Sequence, residues 1–143
     1  MNQPTDRTYT ISTQLPLAFA DAVEAVRGAL ADQGFGILTE IDLAATMKAK
    51  LDKDLPPQVI LGACRPPLAY QALQADPSVA AMLPCNVVVR QLDPVRTLVE
   101  AFDPQAMLSF STSPAIGEVA ADAQSRLQAA IDTLRRAHPT SQA

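Results

Sequence analysis

The sequence predicts a single two-layer α+β domain, with one mixed or mostly antiparallel sheet covered by helices on one face. Three observations predict it. The chain has 143 residues, enough for one buried core and too few for two. Runs of β-branched residues take turns with stretches of helical period, in the order β-α-β-α-β-α-β-β-α. Apolar residues reach 48%, much of it Ala, so Leu, Val and Ile form the core between Ala-rich helices. No repeat, low-complexity segment or linker divides the chain. Residues 1–143 therefore read as one domain, with 1–6 and 139–143 frayed.

Each element has its own signal. Arg7–Gln14 alternates and is rich in Thr, Tyr and Ile, which reads as a strand. From Leu17 the period changes: Phe19, Val23, Val26 and Leu30 form the apolar stripe of a helix, with Asp21, Glu24 and Arg27 facing outward. Gly34 supplies the stop. Phe35–Asp42 is a second strand, alternating at Ile37, Thr39 and Ile41. Leu43–Leu51 is a short helix ended by the DKDLPP turn. Gln58–Ala63 is almost continuously apolar and belongs inside the sheet. Pro66 and Pro67 open a helix over Leu68–Gln74, and Asp76-Pro77 turns the chain into a short helical piece, Ser78–Met82. Leu83–Leu92 is the strongest strand signal. Asp93-Pro94 turns it back into Arg96–Phe102, giving a hairpin. Asp103-Pro104 begins an irregular stretch through Met107–Ser113. Pro114 opens the last helix, with Ile116, Val119, Ala123, Leu127, Ala130, Ile131 and Leu134 at helical spacing. Gln128 and Arg135 fall on its outer face, and Pro139 lies beyond its end.

Charge and residue inventory exclude several functions. Lys plus Arg is 11 and Asp plus Glu is 15, a net charge of −4. A nucleic-acid binder needs a concentrated positive footprint. Here the only basic cluster, Lys48, Lys50 and Lys53, is interleaved with Asp52 and Asp54. There is no Trp, and two Tyr and four Phe make a poor stacking platform. No run of 18 apolar residues exists, so no membrane span is expected. Residues 1–16 hold no apolar core of a secretory signal, and two Cys in such a chain read as cytoplasmic thiols. One His, His138, cannot build a triad or a His-rich metal site. No glycine-rich phosphate loop and no nucleophile elbow is present.

Four residues remain as candidate ligand-binding groups. Cys64 lies between a strand and a helix opened by Pro66-Pro67. A helix N-terminus and Arg65 would lower its pKa, making a reactive thiolate; the alternative is a small buried apolar side chain. Cys85 begins the strongest strand, and Asn86 beside it offers an amide. Glu40 and Asp42 share one strand face, with Ile41 on the other. Asp42 is well placed to cap the following helix, so Glu40 is the preferred acid. Two thiols are too few ligands for a metal, so none is assigned, although carboxylates would complete a set. Gly36 and Gly62 read as packing or close-approach positions.

The blocks GFGILTEID at 34–42, VILGACRP at 59–66 and LPCNVVV at 83–89, followed by DP at 103–104, resemble the family called domain of unknown function 302. The resemblance spans about residues 8–107. It implies a small bacterial or archaeal α+β domain that can occur as a dimer, and it implies no activity. It directs attention to Glu40, Asp42, Cys64, Cys85 and Asn86. Where members often carry Asn after the first Cys, this chain has Arg65.

Three functions follow as expectations. The first is a small binding module whose ligand or metal pocket is lined by Glu40, Cys64, Cys85 and Asn86. The second is a thiol-dependent redox protein or enzyme using Cys64 with Cys85 as resolving partner. The third is a homodimeric interaction domain. No cofactor is named by any motif.

Overall fold

The computed structural model describes residues 9–111 and 113–140. Strand β1 is Thr10–Leu15, so the expected start at Arg7 lies outside the described residues. Helix α1 spans Phe19–Asp32 and buries Ala22, Val26, Ala29 and Leu30. The two alanines centre the buried stripe and let the helix approach the sheet closely. Val23, expected inside, is therefore only half-buried. Arg27, expected outside, is half-buried because it reaches across to Glu40. The helix ends as its glycine predicts: Gly34 has φ +85°, its N–H donates to Ala31 O, and the Phe35 N–H donates to Leu30 O. That pair of bonds satisfies two of the last carbonyls.

Strand β2 (Gly36–Asp42) carries a bulge at Leu38, since Ile37 pairs with Ala63 but Thr39 with Gly62. Asp42 then caps α2 (Leu43–Leu51), its Oδ1 accepting the Ala45 N–H at 2.8 Å. Lys48 pairs with Asp52 and Asp54 at 2.8 and 3.3 Å, so the basic cluster is partly offset by its own acids. Strand β3 is Gln58–Cys64 and α3 is Pro66–Ala75, followed by a 3₁₀ segment, Pro77–Met82. Strand β4 (Cys85–Asp93) begins two residues later than expected, because the Leu83 N–H is drawn to Ala80 O at the end of that segment. Strand β5 is Arg96–Phe102. The stretch expected to be irregular forms a second 3₁₀ segment over Pro104–Ser109. Helix α4 (Pro114–Ala137) buries all seven apolar positions read from its period. Gln128 is half-buried rather than exposed, its amide donating to Asp132, while Arg135 is exposed.

The three Asp-Pro pairs share one device. Proline has no N–H, so each Asp carboxylate accepts from the residue after it. Asp76 takes the Ser78 N–H, Asp93 the Val95 N–H and Asp103 the Gln105 N–H, at 2.9–3.1 Å.

The sheet order is β1-β5-β4-β3-β2, and every neighbouring pair is antiparallel. The parallel pairing that the alternation allowed does not occur, because α1 carries the chain from one edge strand to the other. One face is covered. Leu61, Val87, Val89 and Val99 meet Val26 and Leu30 of α1 and Leu127 and Ile131 of α4 there. A second cluster joins α3, both 3₁₀ segments and the first half of α4 through Leu68, Val79, Met107 and Ile116. Alternate residues, including Ile60, Gly62, Asn86, Val88 and Glu100, point to the opposite face. No helix among the described residues is long and apolar enough to cross a membrane.

Candidate functional site

Cys64 ends β3 and Cys85 begins β4, and Ala63 pairs directly with Cys85. Both cysteines are free thiols, half-buried, lining one cavity of about 40 Å³ with Leu68, Met107 and Ala123. Its walls are almost wholly apolar, and its volume suits a water or two rather than an organic ligand.

This environment raises the thiols instead of lowering them. Desolvation pushes Cys64 above its ordinary value. Burial, and secondarily the charge of Cys64, push Cys85 up to about 11. The expected lowering of Cys64 fails for a local reason. Pro66 and Pro67 occupy the first two positions of α3 and have no N–H to give. The next donors, on Leu68 and Ala69, are both held by Arg65 O at 3.0 Å. The Arg65 side chain lies along Gly34, where a Cβ would stand 3.0 Å from its Nε. That Nε is buried without a hydrogen-bond partner among the described residues.

The other two candidates lie elsewhere. Glu40 pairs across the sheet with Leu61 on the covered face, and its carboxylate is taken by Arg27 of α1. Asn86 sits opposite Gly62 on the open face, exposed, and lines a different cleft with Val88, Glu100 and Phe102. A single pocket shared by all four residues is therefore not what the fold builds: the β3–β4 pleat sends Cys85 and Asn86 to opposite faces. Among the described residues no group of three or more His, Cys, Asp or Glu could hold a metal ion.

Gly62 is a true close-approach position. A Cβ there would fall on Thr39 Oγ1 and within 2.8 Å of Pro84 Cγ. Gly36 is not, since its nearest neighbour to a Cβ would be Cys64 O at 3.9 Å. Sequence reasoning missed Glu100. The signal was present: in RTLVEAF, Thr97, Val99 and Ala101 are buried on one face, leaving the lone acid on the other.

No curated protein matches the chain. The family model described as "Domain of unknown function DUF302" matches residues 11–134, which extends the expected region of likeness through α4. A solved structure of the same fold is the crystal structure of uncharacterized conserved protein DUF302 from Bacillus stearothermophilus. It is 28% identical, with a TM-score of 0.81 over 90% of this chain and 100% of that one. Matched from β1 to the last turns of α4, the chain belongs to the DUF302 family, a family of unknown function.

Proposed function

We propose that the protein works as a dithiol redox module, with Cys64 as the attacking thiol and Cys85 as its partner. The observation that carries this reading is that both residues line one cavity. Cys64 is one residue along from the direct partner of Cys85. Strand geometry then gives a Cα separation of about 6 Å, within the span of a disulfide. Cys64 is also the last residue of β3, paired with Gly36, and the chain leaves the sheet directly after it to enter α3.

The reaction is thiol–disulfide exchange. The Cys64 thiolate attacks one sulfur of an external disulfide, whose S–S bond breaks and releases a thiolate. The Cys85 thiolate then attacks the Cys64 sulfur of the mixed disulfide and expels the second thiolate. The protein loses two electrons and two protons, and the external disulfide becomes two thiols. The raised pKa values of both thiols mean slow attack at neutral pH, faster as pH rises.

Incubation with oxidised glutathione followed by peptide mapping tests the reading. The native protein is expected to give a Cys64–Cys85 disulfide, and Cys85→Ser to trap glutathione on Cys64. Stable mixed disulfides without the internal bond in the native protein would overturn it.

A ligand pocket joining Glu40 and Asn86 to the thiols lacks comparable support, because Glu40 is engaged by Arg27 and Asn86 faces the other way. A homodimer paired along β2 is the second reading. It is favoured by Leu38 and Ile41, 63% and 46% exposed on an edge strand.

A further inference from the structure

The open face of the sheet carries a cleft of about 500 Å³ where β4 and β5 meet the first residues of β1. We propose that this cleft is a binding site for a small organic cation, an amine with an apolar body. The site is separate from the thiol cavity and independent of any redox role.

Three features specify the ligand. The first is size: 500 Å³ falls within the range of small-molecule pockets, more than ten times the thiol cavity. The second is the walls. Tyr9, Phe102 and Phe110 line the cleft, half of the six aromatic residues in the whole chain. Phe110 and Tyr9 stand 75% and 53% exposed there, a cost in water that an apolar ligand would remove.

The third feature is charge. Glu100 is half-buried on the cleft floor, and among the described residues no Lys or Arg lines it. Its Oε2 accepts a hydrogen bond from Thr10 Oγ1 at 2.9 Å, and among the described residues it forms no ion pair. A carboxylate in a cleft lined by aromatic side chains favours a cation through its direct charge, and aromatic faces attract cations as well. It disfavours an anion by like-charge repulsion. A bare metal ion is a poor occupant, since hard cations need several oxygen ligands and the floor offers one carboxylate among apolar groups. The exposed Asn86 amide at the rim supplies a second polar contact.

The test uses three probes of similar shape on the full chain: benzylamine, benzyl alcohol and benzoate, titrated into labelled protein and followed by two-dimensional NMR. Benzylamine is expected to shift the amides of Asn86, Glu100 and Phe110. Benzyl alcohol should bind about tenfold more weakly and benzoate not at all. Glu100→Gln, nearly isosteric, should reduce amine affinity to that of the alcohol and leave the alcohol unchanged. Phe110→Ala, at an exposed position that cannot unfold the core, should weaken both. Equal affinity for amine and alcohol, preference for benzoate, or no shift at these residues at tens of millimolar would each overturn the proposal.

Discussion

At Cys64 the fold withholds what a helix N-terminus ordinarily gives a thiol. The strand-to-helix position was legible from VILGACRPP, because strand and helix signals are local. The loss of the donors was written there too, in two prolines whose missing N–H groups remove the stabilisation that their helix-starting role seems to promise. Asp42 was legible as a cap for the same reason of locality, its partner lying three residues on. Glu40 was not, because its partner Arg27 sits on another element that only the tertiary fold brings near. The thiols carry the first prediction. Iodoacetamide should modify Cys64 before Cys85, at rates that climb steeply above neutral pH, as mass mapping would show; Cys85 first would contradict the assigned roles. Cys85 also couples pH to stability. Its thiol ionises near 9.0 when unfolded and near 11 when folded, so the folded chain holds the proton more tightly. The contribution is complete below pH 9 and is lost as pH rises toward 11, by at most about 1.4 kcal/mol per pH unit. Urea midpoints of the native protein and Cys85→Ala should differ by a constant amount below pH 9, and the native midpoint should fall relative to the variant's as pH rises toward 11.

Elements are where periodicity succeeds and register escapes it. The helical stripe of α4 was readable because 24 residues average over local exceptions. The bulge at Leu38 was not, since an extra residue in a strand leaves alternation intact on either side of it. Strand β3 also contains a close approach at Gly62, hemmed in by the Thr39 and Pro84 side chains. Gly62→Ala should destabilise the protein by about 1–3 kcal/mol, measured by urea unfolding. Thr39 is exposed and can swing away from an added methyl, but the Pro84 ring cannot. Combining the change with Thr39→Ala should therefore restore only part of the loss. An uncorrected native stability in Gly62→Ala would show that the strand shifts freely. The Asp-Pro turns make a further prediction. Asp103→Ala should cost about 1 kcal/mol by removing the acceptor for Gln105, while Asp103→Asn should cost little because it keeps one.

For the whole molecule, the sheet has two edges of different character. At β1 the last helix intervenes: Arg135 donates to Ser12 O at 3.2 Å and to Thr13 Oγ1 at 3.3 Å. A charged side chain fixed over a strand edge blocks pairing with another chain. At β2 the charges are otherwise engaged, Glu40 by Arg27 and Asp42 by the cap of α2, leaving Leu38 and Ile41 exposed. This asymmetry was invisible in the sequence, because which strands become edges depends on α1 crossing from β1 to β2 over three intervening strands. A two-fold axis at the β2 edge would pair identical strands and bury the same residues on both copies. The protein is therefore expected to sediment as a dimer at tens of micromolar, with little dependence on salt since the contact is apolar. Leu38→Glu combined with Ile41→Lys should give a monomer with an unchanged circular dichroism spectrum, because neither side chain belongs to the core. A native protein that stays monomeric at hundreds of micromolar would assign the Leu38 bulge the opposite role, that of twisting the edge away from partners.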